Sequence, residues 1–175
     1  VIGQAVQVGE APGNATVLTA TDSDDLDLAS EFTVEAFVYR TVEHGSDWER
    51  FATKWFDGST QWHWAFRGPP NRSQDLFMNG SQQINQGAVT ADLPLNEWHH
   101  VAVSVDAGSD TMKVYVDSAE VRSVTNAGFT GDGGGNWKPA YIGNFSGPSA
   151  GGVLDGSMDF LRITDSVLGP ADFYV

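Results

Sequence analysis

Apolar and polar residues alternate along much of this chain. In Glu31–Arg40, Phe32, Val34, Ala36 and Val38 share one face, while Thr33, Glu35, Phe37 and Tyr39 share the other. A period of two is the mark of a strand with one buried face. Trp98–Asp106 repeats the pattern, with Val101, Val103 and Val105 opposite His100, Ala102 and Ser104. Met112–Val116 does so again, with Met112, Val114 and Val116 opposed to Lys113 and Tyr115. The turn residues of Ala107–Thr111 separate these two runs, which predicts a hairpin. Further strands are predicted at Ala5–Val8, Thr16–Ala20, Phe51–Trp55, His63–Arg67, Leu76–Asn79, Ala119–Val124, Tyr141–Gly143 and Met158–Thr164. Between them lie "DGST", "RGPPN", "NGS", "DAGSD", "TGDGGGN" and "SGPSAGG", all rich in turn formers. Many short strands without a helical period predict an all-β, antiparallel two-sheet sandwich. No linker, repeat or charge block divides the chain, so residues 1–175 read as one domain.

Composition narrows the chemistry. The 20 glycines and an aromatic content of 11% suit many turns joining β-strands. There is no cysteine, which removes disulfides, thiolate nucleophiles and zinc–thiolate sites. The chain carries 23 acidic residues against 9 basic, a net charge of −14. Such a surface repels nucleic acid and acidic membranes, and favours calcium or a neutral or cationic ligand. No stretch is long and apolar enough for a membrane helix, so membrane insertion is not expected. The chain begins without Met and shows no signal peptide at its start, which reads as a mature chain or an excised module.

His99 and His100 are adjacent, so on a strand they point to opposite faces. They cannot easily ligate one metal together. One is expected to be buried and hydrogen-bonded and the other to lie at the surface.

The segments "FTVEAFV", "FATKW", "LNEWHHVAVSVD", "MKVYVDSAEV", "AYIGN" and "LDGSMDFLRITDSVL" follow an order that resembles laminin G-like, concanavalin A-like domains of bacterial and viral type. The resemblance runs from about Asp22 to Leu168 and rests on order and spacing rather than on one motif. It implies a two-sheet jelly roll with one concave face, often a bound calcium, and binding rather than catalysis. Ser118 stands where such domains usually have glycine after Asp117, so a different turn geometry is expected there.

Catalytic patterns are missing. A retaining glycosidase needs two carboxyls roughly 5–5.5 Å apart, which glycosidases of this fold place at alternate strand positions. Glu43, Asp47 and Glu49 have the wrong spacing and lie in a loop-like stretch. "QQINQ" at Gln82–Gln86 lacks the histidine that lyases of this fold use. His63, His99 and His100 sit in no serine-hydrolase context.

For metal, "TDSDDLD" (Thr21–Asp27) fails as an EF-hand loop, because Leu26 and Asp27 take places that need a ligand and a glycine. In similar domains an Asp of the last strand helps to hold calcium near the first strands. Asp159 matches that position, Asp22 or Asp25 can supply a second carboxylate, and a glycine carbonyl such as that of Gly45 a further oxygen. The plainer role for Asp159 is a backbone cap or a pair with Arg162. "TGDGGGNW" (Thr130–Trp137) is a weaker calcium-loop candidate, since glycine-rich β-loops are common.

Six tryptophans are many for this length. Sugars stack their C–H faces on aromatic rings, and polar side chains fix their hydroxyls. On His63–Arg67, Trp64 and Phe66 face one way as core, and His63 and Arg67 the other. Trp62, His63, Arg67, Asn79 and Trp137 form the candidate glycan set, with both tryptophans at a groove's rim. The plainer role for most of these tryptophans is to fill a jelly-roll core. Sequons at Asn14, Asn71, Asn79 and Asn144 fit glycosylation or Asn-rich loops. Together these features predict a non-catalytic, secreted or surface-displayed binding module, most simply one for carbohydrate and stabilised by calcium. The alternative is a structural, adhesion or virion-surface protein, a decoration or fibre acting through protein contacts. Its partners would be a glycan or a surface protein, with assembly into a larger particle or multidomain protein.

Overall fold

The computed structural model describes residues 6–11, 14–16, 18–21, 28, 30–43, 48–56, 59–68, 73–78, 81–82, 92–125, 137–142 and 154–174. Among these described residues thirteen strands follow one another: β1 (Val6–Ala11), β2 (Asn14–Thr16), β3 (Leu18–Ala20), β4 (Glu31–Arg40), β5 (Trp48–Phe56), β6 (Ser59–Arg67), β7 (Ser73–Met78), β8 (Ser81–Gln82), β9 (Trp98–Asp106), β10 (Thr111–Val116), β11 (Ala119–Thr125), β12 (Trp137–Ile142) and β13 (Gly156–Thr164). Among the described residues no helix occurs. Two antiparallel sheets form, one in the order β11-β10-β9-β4-β13-β1-β2 and the other β3-β12-β5-β6-β7-β8. The long-range pairing of β4 with both β9 and β13 builds the centre of the first sheet.

The expected alternation sets the core. Phe32, Val34, Ala36 and Val38 of β4 join Val101, Val103 and Val105 of β9, and Met112, Val114 and Val116 of β10. The second sheet answers with Phe51, Trp62, Trp64, Phe66 and Leu76. Each fully buried side chain of this size contributes roughly 1.5–3 kcal/mol. Trp64 meets Phe51 edge to face, with centroids 5.0 Å apart. Its indole N–H donates to Gln74 Oε1 at 3.1 Å, and Gln74 Nε2 donates to the carbonyl of Tyr115 at 3.3 Å. This relay satisfies the polar atom of a core tryptophan and ties the two sheets together.

A charged link does the same at the other end of β4. Arg40 is buried, and its Nε and Nη2 donate to the two carboxylate oxygens of buried Glu49 on β5, at 2.8 and 2.6 Å. Nη2 also reaches Glu43 at 3.0 Å, Nη1 donates to the carbonyl of Leu93, and the guanidinium lies 4.3 Å from the centroid of the Phe66 ring. Burial alone would lower the pKa of Arg40. The hydrogen bonds and charges of Glu49 and then Glu43 outweigh it and hold the value above its ordinary one.

The β10–β11 turn is a two-residue loop. Val116 pairs with Ala119 across Asp117 and Ser118, which have φ of 49° and 63°. A two-residue hairpin loop of this kind needs positive φ at both positions. Ser118 therefore adopts the left-handed backbone that glycine takes most readily, and as a non-glycine residue there it carries strain. Asp117 supports it, accepting from the His100 amide at 3.0 Å and lying 2.9 Å from His99 Nδ1.

Residues 165–174 then cross the outer face of the seven-stranded sheet. Thr33 Oγ1 donates to the carbonyl of Ser166 at 2.8 Å and accepts from the Leu168 amide at 2.9 Å. Phe173 packs on Tyr115 edge to face at 4.9 Å and on the His100 ring at 5.2 Å. This C-terminal strap covers one half of that face and leaves the other open.

Candidate functional site

The strands carrying the expected glycan set form, but β6 begins at Ser59 rather than at His63. Trp62 therefore sits inside the strand, two residues before Trp64 and four before Phe66, and shares their inward face. Its exposure is 0%. It is a core side chain and cannot carry a sugar at a groove rim, which corrects the sequence expectation. His63 lies on the opposite face of β6, paired with Thr53 and Phe77, and its side chain is outside the described ones. Arg67 is partly buried on that same face, with its guanidinium 4.9 Å from the ring centroid of Trp48. The neighbours Thr53, Ala65, Ser73 and Asp75 on this face are all buried, so around them it is no open platform. Trp137 begins β12, with its side chain outside the described ones, and Asn79 lies outside the described residues altogether.

The open aromatic surface lies elsewhere, on the outer face of the seven-stranded sheet. Trp98 of β9 pairs in register with Tyr39 of β4, and Tyr39 with Ser157 of β13. The next row is His100, Phe37 and Asp159. Trp98 is 44% exposed and tilts against half-buried Tyr39 with centroids 5.5 Å apart. Phe37 rests against His100 at 5.2 Å. Along β13 one extra residue breaks the register between Asp159 and Arg162, and Phe160 takes a φ of 52°. This bulge throws Phe160 outward onto Tyr174 of the strap, the rings stacked at 3.7 Å.

A buried carboxylate fixes the boundary between open and covered halves. Glu35 accepts from Arg162 through one oxygen, while the other lies 2.8 Å from His100 Nε2 and accepts from the Tyr174 amide at 3.3 Å. Arg162 Nη2 also donates to the carbonyl of Asp172 at 2.9 Å. Arg162 is thus committed to Glu35 and to the strap rather than to Asp159. His100 is buried and held, as one of the two histidines was expected to be; His99 is half-buried and held by Asp117.

Of the expected calcium set, Asp159 is half-buried on β13, and Asp22, Asp25 and Gly45 lie outside the described residues. Among the described residues no three His, Asp or Glu side chains gather closely enough to hold a metal ion. Of the carboxylates weighed for catalysis, Glu49 is on β5 rather than in a loop and, with Glu43, serves Arg40. Asp47 is outside the described residues.

A laminin G-type family model matches residues 12–172, nearly the whole of this two-sheet sandwich. The chain belongs to the concanavalin A-like lectin/glucanases superfamily. No curated protein matches this concanavalin A-like chain at a significant level. Solved structures do. The IT-sialidase CBM40 of Ruminococcus gnavus superposes with a TM-score of 0.72 at 11% identity, covering 98% of this chain and 95% of that one. The native heptameric SAP-like pentraxin of Limulus polyphemus gives 0.70 at 13%, covering 95% and 77%. Domain 4 of AbnA, an extracellular GH43 arabinanase of Geobacillus stearothermophilus solved with arabinotriose, gives 0.53 at 21%, covering 97% and 86%. At these identities the likeness is one of fold. Trp98, which opens the "WHHVA" run, was legible as a strand residue. Its exposure was not, because that depends on where the strap stops.

Proposed function

We propose that this is a non-catalytic, extracellular carbohydrate-binding domain whose sugar stacks on Trp98. The observation that carries the reading is the exposed Trp98 ring, braced by Tyr39 on a sheet face that the strap leaves open. A rigid, braced indole offers a large contact area at little conformational cost. Ser157, the register neighbour of Tyr39, places a hydroxyl on the same face. The family, and neighbours solved as a CBM40 and with arabinotriose, support the reading. The test is binding of neutral and sialylated glycans by calorimetry, following an array. Trp98→Ala is expected to weaken the best ligand more than tenfold, about 1.4 kcal/mol, with the melting temperature unchanged. Unaltered affinity would place the site elsewhere.

Calcium is part of the proposal as a structural ion, held by Asp159 with Asp22 or Asp25 and the Gly45 carbonyl. Its binding to the folded state alone raises stability by mass action. Melting with calcium and then with chelator is expected to differ, and Asp159→Ala to abolish the difference. Equal melting temperatures would remove calcium from the account.

A second reading, adhesion or assembly through protein contacts, is favoured by the stacked Phe160–Tyr174 pair, exposed by 38% and 48%. Sedimentation analysis showing self-association that Tyr174→Ser abolishes would favour it.

A further inference from the structure

Beyond the strap from Trp98, the same outer face carries a cavity of about 310 Å³. Its floor is the outward side of the β9–β10 hairpin, where Ser104, Asp106, Thr111 and Lys113 alternate with the core valines and Met112. Ser109 of the turn closes one end, and Leu168 and Gly169 of the strap form the wall. The strap is fixed there by the two hydrogen bonds of Thr33 and by the seat of Leu168 on Ala102, Tyr115 and Phe173. The cavity is therefore a built feature of the fold.

Ser104 decides what it is for. It is 2% exposed, it lines the cavity, and its Oγ is buried without a hydrogen-bond partner. Buried hydroxyls are nearly always satisfied, and an unpartnered one on a residue that lines a cavity is a group that a ligand there can satisfy. We infer that this cavity is a second ligand site, taking one neutral sugar ring or a polyol of similar size.

The rest of the lining agrees. The Ser104 hydroxyl can donate or accept, while those of Ser109 and Thr111, which donate to Asp106 and to the Ser109 carbonyl, can still accept from a ligand's hydroxyls. Asp106 adds an acceptor: Ser109 donates to it from Oγ at 2.7 Å and from its amide at 3.0 Å, which holds its carboxyl below the usual range. Leu168 offers an apolar wall for the C–H face of a ring. Anions find no free counter-charge, because Lys113 Nζ already lies 3.0 Å from Glu120 Oε2. A cation finds one carboxylate in the lining, half-buried Asp106, which already holds two donors. The ligand class is shared with the proposed function, but the site is separate and does not involve Trp98.

The test is an amide NMR titration of the full chain with methyl glycosides of neutral hexoses and pentoses. N-acetylneuraminic acid, inorganic phosphate and a simple amine serve as contrasts. Saturable shifts are expected at Ser104, Asp106, Ser109 and Thr111 with a neutral glycoside and not with the contrasts. Ser104→Val should weaken this binding at least tenfold. Gly169→Leu provides a second variant: a Cβ there meets no atom within 4 Å, and the larger side chain on the cavity wall is expected to weaken binding of the neutral glycoside, whereas unaltered binding would count against the site. Trp98→Ala should leave the shifts intact. Absence of saturable shifts with every neutral glycoside, or shifts with the amine or an anion alone, would overturn the inference. So would shifts that Trp98→Ala removes and Ser104→Val spares, although these would still support the Trp98 site.

Discussion

Arg40 lies between the sheets with four of its five N–H donors answered by Glu49, Glu43 and the Leu93 carbonyl, and with its guanidinium face on the Phe66 ring. Removing one partner of a buried pair leaves the other charge uncompensated, at about 3–5 kcal/mol. Glu49→Ala is expected to lose that much in urea denaturation; a loss near that of a surface pair would mean that water reaches Arg40. Asp106 makes a milder, pH-linked contribution. Its folded pKa is depressed by the Ser109 hydrogen bonds. The contribution is therefore present above the unfolded carboxylate value of about 3.9 and is lost as pH falls through the lower folded value. Carboxyl NMR titration should show the depression, and Ser109→Ala should return Asp106 toward the ordinary range. At this scale the sequence told part of the story. Trp62 shares the parity of Trp64 and Phe66, so its burial was legible once the strand is extended back to Ser59. The pairing of Arg40 with Glu49 was not, because nothing local says which distant charge a core arginine will meet.

The strands themselves were largely readable, because one-sided burial writes a period of two into β4, β9 and β10. Their ends were less so. Asn14–Thr16 and Leu18–Ala20 are two strands in different sheets where one run was expected, since alternation does not record a change of partner. Backbone contacts are equally silent. Gly156 pairs with Arg40, and a Cβ on it would lie 1.8 Å from the carbonyl oxygen of Tyr39. Backbone cannot yield as a flexible side chain does. Gly156→Ala should therefore part β13 from β4 at this end, at about 1–3 kcal/mol or more. Faster amide exchange at Val38–Arg40 would report it, and exchange unchanged from the parent would show that the two strands slide to make room. Because β13 also carries Ser157 and Asp159, the same substitution tests how far the Trp98 face depends on strand placement.

At the scale of the whole molecule, two faces compete for the binding role, and the two tryptophans separate them. The face of the six-stranded sheet is buried at Thr53, Ala65, Ser73 and Asp75, and Trp62 points away from it into the core. The seven-stranded sheet instead presents Trp98 on one side of the strap and the Ser104 cavity on the other. The net charge of −14 acts over both and opposes anionic ligands at long range. A neutral glycan should therefore bind equally well at low salt and near 1 M, where the Debye length falls to about 3 Å. Trp62→Ala should cost about 3–5 kcal/mol of stability while the folded fraction keeps its glycan affinity. Trp98→Ala should do the reverse, sparing the melting temperature and losing the affinity. Denaturation and calorimetry on the two variants place the site on one sheet or the other. If Trp62→Ala proved stable and binding-deficient, the packing of the six-stranded sheet against the core would have to be redrawn.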